Sequence, residues 1–389
     1  MTKYFIKKLT SKSRKGKEIM RTIVNSSELN NAMKMVAKAM DSKVVLPILS
    51  DILFNIKGDT ITLTASNGEN FVTTHVNVIE NDGEKVFSVN GKSILDAFGS
   101  LPNAPITIET EETVMKVNYE NGLFTLPISD AVKYPTQTVV EDGTTVTLSE
   151  KTVKENLSLC YFATAQDELR PVMNGIYFDF TTDGFVMVAS DGHKLVKSVI
   201  ADVTMGEPHS FILPKRPADI LMKIMSSTTD GEVTITFTER NAIFTTNTFT
   251  LWCRLIEGRY PNYNAVIPKE SPYTMTASRL EMVSALNRVV PFSNESQLTR
   301  ISVVADKMTL KTEDYDFSKT AVAQVACSYD GQDITIGFKG VTLVEILKNL
   351  SSEEIVMKMT DASRAALIIP GEQPESYEVT ILIMPMLIA

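Results

Sequence analysis

The sequence predicts an α+β chain built from three copies of one domain, each with two separated helices on antiparallel sheet. Three observations predict it. A strand, a turn and an amphipathic helix recur at residues 87–101 (FSVNGKSILDAFGSL), 211–227 (FILPKRPADILMKIMSS) and 336–350 (IGFKGVTLVEILKNL). Their period of about 125 residues suits a domain and is far too long for a solenoid unit. A strand, a serine and a second helix open each copy. Alternating apolar runs bounded by turn dipeptides fill the intervals.

Residues 1–19 differ from the rest. Lys3, Lys7, Lys8, Lys12, Arg14, Lys15 and Lys17 face one acid, Glu18, a surplus of six positive charges. The whole chain carries -9, so the remainder is net acidic by fifteen. The segment lacks the apolar core of a secretory signal. Two readings stand: a basic arm that touches DNA, or an upstream extension, disordered or weakly held, before a start at Met20.

The first copy begins with a strand over residues 21–24. Ser26 or Ser27 is expected to cap the next helix, whose apolar face is Leu29, Ala32, Met33 and Val36. The second opens at 145–148 with a cap at Ser149 and Val153, Leu157 and Cys160 inward. The third opens at 273–276 with Ser278 as cap and Met282, Ala285, Leu286 and Val289 inward. Residues 52–64, 176–188 and 301–312 read as hairpins turning at Gly58-Asp59, Asp183-Gly184 and Asp306-Lys307. Each copy holds about two helices and eight strands. In the repeated second helices the stripes are Ile94, Ala97, Phe98 and Leu101; Ala218, Leu221, Met222 and Met225; and Leu343, Ile346, Leu347 and Leu350, with Pro214 to Pro217 forming the break in the middle copy. Boundaries fall near Gly143 and at 268–272. The domains expected are therefore 20–142, 143–270 and 271–389, after the basic extension at 1–19.

Composition bounds the function. With 43% hydrophobic and 22% charged residues, the 389-residue chain reads as an ordinary globular protein. It has no run of 18 apolar residues, so no membrane span is expected. Cys160, Cys253 and Cys327 form no CxxC pair, which favours a reducing, cytoplasmic setting without a disulfide framework. No glycine-rich phosphate loop and no metal-ligand spacing appear, so no cofactor or metal is expected.

The best candidate for catalysis is His193, beside Ser190 and Asp191. Triad members must converge from separate parts of the chain, and three neighbours on one turn do not. The expected reading of Ser190-Asp191-Gly192 is a tight turn with a positive-φ glycine. A hydrolase using His193 or Cys160 remains a competing hypothesis, and a repeat-built surface scaffold another. The second requires export and gives no reason for recurrent helix lysines.

Basic residues recur on the helices. Lys34, Lys38, Lys151, Lys154, Arg279 and Arg288 lie on the first helices. Lys92, Lys215, Arg216 and Lys339 open the second, and Lys223 and Lys348 share one repeat column on the solvent side. Acids such as Glu109, Glu111, Glu112, Glu120, Glu141 and Asp142 crowd strands and loops. Helices facing one way would give an acidic protein one basic face, suited to phosphates without sequence readout. The apolar C-terminus admits two readings, a last buried strand or an adaptable methionine-bearing surface.

Five separated motifs then carry a family resemblance: VLPIL at 45–49, LRPVMNG at 169–175, ASDGHKL at 189–195, IEGRYPNY at 256–263 and MPM at 384–386. From Met20 to the C-terminus the chain resembles the bacterial DNA sliding clamps, the beta subunits of DNA polymerase III. The resemblance implies three clamp domains per chain and two chains head to tail in a ring, with helices lining the hole and sheets outside. It implies a non-catalytic tether that slides on duplex DNA and serves the polymerase III alpha subunit, the clamp loader and other clamp-binding proteins. Positions matching DNA-facing residues are Lys43, Lys92, Lys215 and Arg216. Those matching a partner-peptide pocket are Arg170, Met173, Ser190, Gly192, His193, Lys194, Leu195, Pro261, Val266, Leu382, Met384, Pro385 and Met386. Phe124 and Phe292 match apolar positions of the subunit interface. Lys194 stands where arginine is common, and the tail ends Leu387-Ile388-Ala389 where a basic residue and a terminal leucine often follow. Residues 1–19 have no counterpart.

Overall fold

The computed structural model describes residues 19–138, 140–225 and 231–388; residues 1–18 of the basic extension, Ser226, Ser227 and Ala389 lie outside them. The chain divides between Gln137 and Thr138 into two compact units.

In the first unit, helices α1 (Ser26–Val36) and α2 (Gly91–Phe98) pack together. One sheet runs in the order Glu80–Asn81, Met20–Asn25, Pro105–Thr110, Val114–Tyr119, Gly122–Pro127. The strands Ser129–Asp130, Lys85–Asn90, Asp51–Lys57, Thr60–Ser66 and Asn70–Asn77 follow one another in a second ladder. Leu29, Met33, Val36, Ile94 and Phe98 are buried, as the helical periodicity requires. The cap of α1 is Asn25, whose side chain accepts from the amides of Ser27 and Glu28 at 2.9 and 3.2 Å. Of the two serines expected as the cap, Ser27 lies inside the helix, and Ser26 is buried and donates instead to the carbonyl of Pro102 at 2.5 Å. Its hydroxyl is drawn to a distant strand entry, which leaves the orphan amides to the residue before it.

In the second unit, α3 (Glu150–Tyr161) packs on α4 (Lys215–Ile224), and α5 (Arg279–Val289) on α6 (Gly340–Lys348). Ser149 and Ser278 cap α3 and α5 as expected, accepting from Thr152 and Glu281. Helix α4 begins at Lys215 itself, so Lys215, Arg216 and Pro217 form its first turn rather than a break before it. Pro217 is tolerated there because first-turn amides have no intrahelical partner. The third hairpin turns at Ala305-Asp306, with Val304 opposite Lys307, one residue earlier than expected. Ala305 takes the left-handed backbone at φ 49. The Gly58-Asp59 turn is as expected, with φ 55 at the glycine.

Twelve strands form one continuous sheet in this unit. Its two halves meet where Lys194–Ile200 pairs antiparallel with Glu378–Ile383, setting Leu195 opposite Leu382 and Lys194 opposite Ile383. The last strand of the third copy thus completes the sheet of the second. Leu195, Leu382, Tyr260, Tyr263 and Leu367 form one buried cluster beneath that seam.

Candidate partner-peptide site and helix-borne cations

The turn at 190–194 follows from its own residues. Asp191 Oδ1 accepts the amides of His193 and Lys194 at 2.8 and 2.9 Å. Ser190 Oγ donates to the Lys194 carbonyl at 2.8 Å. Gly192 sits at φ 90, and a Cβ there would lie 3.3 Å from the Arg170 guanidinium. Arg170 is oriented by Asp167, with Nε to Oδ2 at 2.8 Å. The Asp191 carboxylate and Ser190 hydroxyl are thus spent on the turn, and neither hydrogen bond engages the His193 ring. Cys160 and Cys253 are fully buried and burial pushes both thiols up, so neither is poised as a nucleophile.

The buried-strand reading of the C-terminus holds as far as Ile383. Val379, Ile381, Leu382 and Ile383 are a buried strand. From Met384, which is 42% exposed, the chain leaves the sheet. The Met384 amide donates to His193 O at 2.8 Å and the Met386 amide to Gly337 O at 2.7 Å. Gly337 has no room for a side chain: a Cβ would meet the Met386 carbonyl at 2.8 Å.

A cavity of about 520 Å³ opens beside this tail. Asp191, His193 and Lys194 line one side, Glu295, Ser296, Lys339, Val341, Thr342 and Glu345 the other, and residues 383–386 run across. Of the pocket residues expected from sequence, His193, Lys194, Met384, Pro385 and Met386 meet here. Arg170 lies beside Gly192, and Pro261 and the 54%-exposed Val266 are surface residues that do not line this cavity. Met173, Leu195 and Leu382 are core residues, none more than 6% exposed, so they support the site from beneath. Sequence reasoning missed Glu295, Thr342 and Glu345. The inward stripe of Leu343, Ile346 and Leu347 marks α6 but gives no hint of what its flanks face.

Lys194 is the least expected of these. Its ammonium is buried and reaches Asp191 at 2.7 Å and Glu345 at 3.2 Å. Burial opposes the charge on Asp191, but the Lys194 ammonium and the two turn amides outweigh it and hold the carboxyl below the usual aspartate range. Burial likewise opposes the charge on Lys194, and the two carboxylates overcome it and raise its pKa.

The cations differ in their surroundings. Lys92, Lys151 and Lys348 are exposed on helices, and Lys43 is exposed in the loop between Ala39 and Pro47. Lys215 is half-buried with Nζ 4.9 Å from the centre of the Tyr161 ring. Arg216 and Lys223 share Asp219, at 3.2 and 2.7 Å. Arg279 donates to the carbonyls of Leu347 and Ser352, at 3.2 and 2.6 Å, closing the end of α6. Lys154 donates to Met225 O at 2.7 Å. Arg279 and Lys154 are therefore structural ties, whereas the exposed lysines project into solvent.

Phe124 lies on Gly122–Pro127, the outermost strand of its sheet, edge-on to Phe98 with ring centres 5.7 Å apart. Leu123 beside it is 62% exposed. Phe292 is 41% exposed on the short turn Val290–Phe292 after α5.

Three family models match the chain in succession. The N-terminal, central and C-terminal domains of the DNA polymerase III beta subunit match residues 20–138, 147–262 and 264–387. The chain belongs to the DNA polymerase III beta subunit family. The beta sliding clamp of Pseudomonas putida KT2440 is 25% identical over 374 residues, 94% of this chain and the whole of that one. A DNA polymerase III beta subunit from Thermotoga maritima aligns with a TM-score of 0.86 at 26% identity, over 95% of this chain and all of that one. A sliding clamp from Pseudomonas aeruginosa has the same fold, with a TM-score of 0.90 at 23% identity, over 96% of this chain and all of that one.

For a clamp of this sequence, the Asp191–Lys194 pair fixes a pH window. The contribution of Asp191 is complete above about pH 4 and is lost as pH falls through its depressed folded value. That of Lys194 is complete below about pH 10 and is lost as pH rises through its raised one. Thermal stability is expected to show no loss from this pair between about pH 5 and about pH 9. Melting curves of the parent and Asp191→Asn across that range check it: the difference between them should stay constant.

Proposed function

We propose that this chain is a processivity clamp without catalysis of its own, working in the cytoplasm as a head-to-tail homodimer that encircles duplex DNA. Its three domains are 20–142, 143–270 and 271–389. The match of three consecutive beta-subunit domain models along one chain carries the reading. Lys43, Lys92, Lys215, Arg216, Lys223 and Lys348 meet phosphates, whose contacts position without reading sequence. Phe124 and Phe292 are the apolar anchors of the subunit interface. The turn at 190–194, Arg170 and the tail from Met384 receive short peptides from the polymerase III alpha subunit, the clamp loader and other partners. An extended peptide with one or two leucine or phenylalanine anchors and a glutamine suits them, and two sites per ring would raise local concentration by tethering. Arg170 offers a guanidinium fork to a ligand carboxylate. The engagement of Ser190 and Asp191 within their own turn supports a binding role over a hydrolytic one.

Native mass should be near twice 43.0 kDa. On short linear duplex, binding should be weak, indifferent to sequence and strongly salt-dependent. Clamps loaded on closed circular DNA should persist many-fold longer than on linear DNA, because escape then requires opening the ring. Equal lifetimes on the two would rule out encirclement.

A further inference from the structure

We propose that Glu345 is a positioning residue for the peptide site, holding Lys194 so that the turn presenting Gly192 and His193 stays docked against α6. The inference rests on the peptide-site reading and names a part of it that no pocket position matched from the family supplies. Of the charged side chains lining the cavity, Asp191, Lys194 and Glu345 are joined in ion pairs. Asp191 is the inner partner, tied to the turn by two backbone amides as well as to Lys194. Lys194 has only 9% of its side chain exposed, and Asp191 24%. Glu345 is the outer partner, 43% exposed and reaching inward from a helix distant in sequence. The turn has its own hydrogen bonds without Glu345, so removing that carboxylate leaves the turn formed but loosens its hold on α6. His193 also accepts the Met384 amide, so movement of the turn carries the exposed tail with it. The Lys194–Glu345 pair is therefore the side-chain tie between two walls between which a ligand must fit, beside the backbone bonds of the tail.

A partly exposed pair has a modest effect, screened by salt. In the full dimer, Glu345→Gln should speed amide exchange in residues 190–195 and at Met384 about threefold. It should weaken a fluorescent peptide of the polymerase III alpha-subunit tail about three- to fivefold at about 0.05 M NaCl. At about 0.5 M NaCl the parent should approach the variant, because the lost interaction is screened. Glu345→Asp, which keeps the charge, should stay within about twofold of the parent. Lys194→Met should cost more than Glu345→Gln, and adding Glu345→Gln to it should cost nothing further. Unchanged exchange in Glu345→Gln, or an affinity gap indifferent to salt, overturns the proposal. If the parent itself does not bind the peptide, the peptide reading fails, and the exchange measurement still decides whether Glu345 holds the turn.

Discussion

Phe292→Asp is expected to convert the two-chain particle into folded single chains. Phe292 is 41% exposed within one chain, so an aspartate there stays hydrated and the monomer keeps its melting temperature. At a closed interface the same carboxylate is buried without a partner, a cost of about 3–5 kcal/mol. At about 1.4 kcal/mol per tenfold, that weakens each interface roughly 100- to 4,000-fold. The contact is heterologous, so a ring closed by two equal interfaces is weakened at both. Sedimentation at micromolar concentration should show one chain, and retention on circular DNA should vanish with the dimer. Phe124 is a poorer probe, because it packs on Phe98 and its replacement damages the first unit as well. A Phe292→Asp variant that still sediments as two chains removes Phe292 from the interface.

Deleting residues 384–389 is expected to abolish peptide binding and leave the dimer intact. The cut must follow Ile383, because Leu382 and Ile383 are 3% and 1% exposed and complete the strand against Lys194 and Leu195. A cut before Leu382 would open the core and confuse loss of a site with loss of a fold. Beyond Ile383, the amides of Met384 and Met386 bond to His193 and Gly337. Losing such bonds costs about 1 kcal/mol each, well within the reserve of a domain. A short linear ligand binds with about -8 kcal/mol, near micromolar. Removing two methionine contacts worth about 1.5–3 kcal/mol each should weaken it beyond detection by anisotropy. Unchanged affinity in a truncated, dimeric protein would move the site elsewhere.

Local signals were legible and non-local ones were not. The stripes of the first helices, the Ser149 and Ser278 caps and the Gly192 turn each depend on residues within a few positions, and each stands in the structure. Leu101, Met225 and Leu350 of the second-helix stripes, by contrast, lie past the helix ends. Asn25 displaced Ser26 as a cap because the Ser26 hydroxyl had a partner at Pro102, which no local pattern announces. Arg279 looked like a surface cation, yet it closes a helix end near Leu347. Lys194 was expected as a pocket residue, yet its second carboxylate, Glu345, lies on a helix distant in sequence. Charge type is written in the sequence; the partner of a charge is set by tertiary packing. The same holds for the seam between Lys194–Ile200 and Glu378–Ile383, whose pairing no turn or periodicity encodes.

That seam has a consequence for synthesis. Lys194–Ile200 lies in mid-sheet, between Phe185–Ser190 and Glu378–Ile383. One neighbour precedes it on the ribosome, and the other is made about 180 residues later. At about 5–20 residues per second, the nascent strand waits on the order of 10–40 s with one edge bare. A bare edge carrying Leu195, Val196 and Ile200 is a template for another chain. Lys194 and Lys197 put positive charge on that strand during the wait, the commonest natural guard against such pairing. Only after Glu378–Ile383 has been made can it cover the edge, so the sheet of the middle copy is completed by a strand of the third.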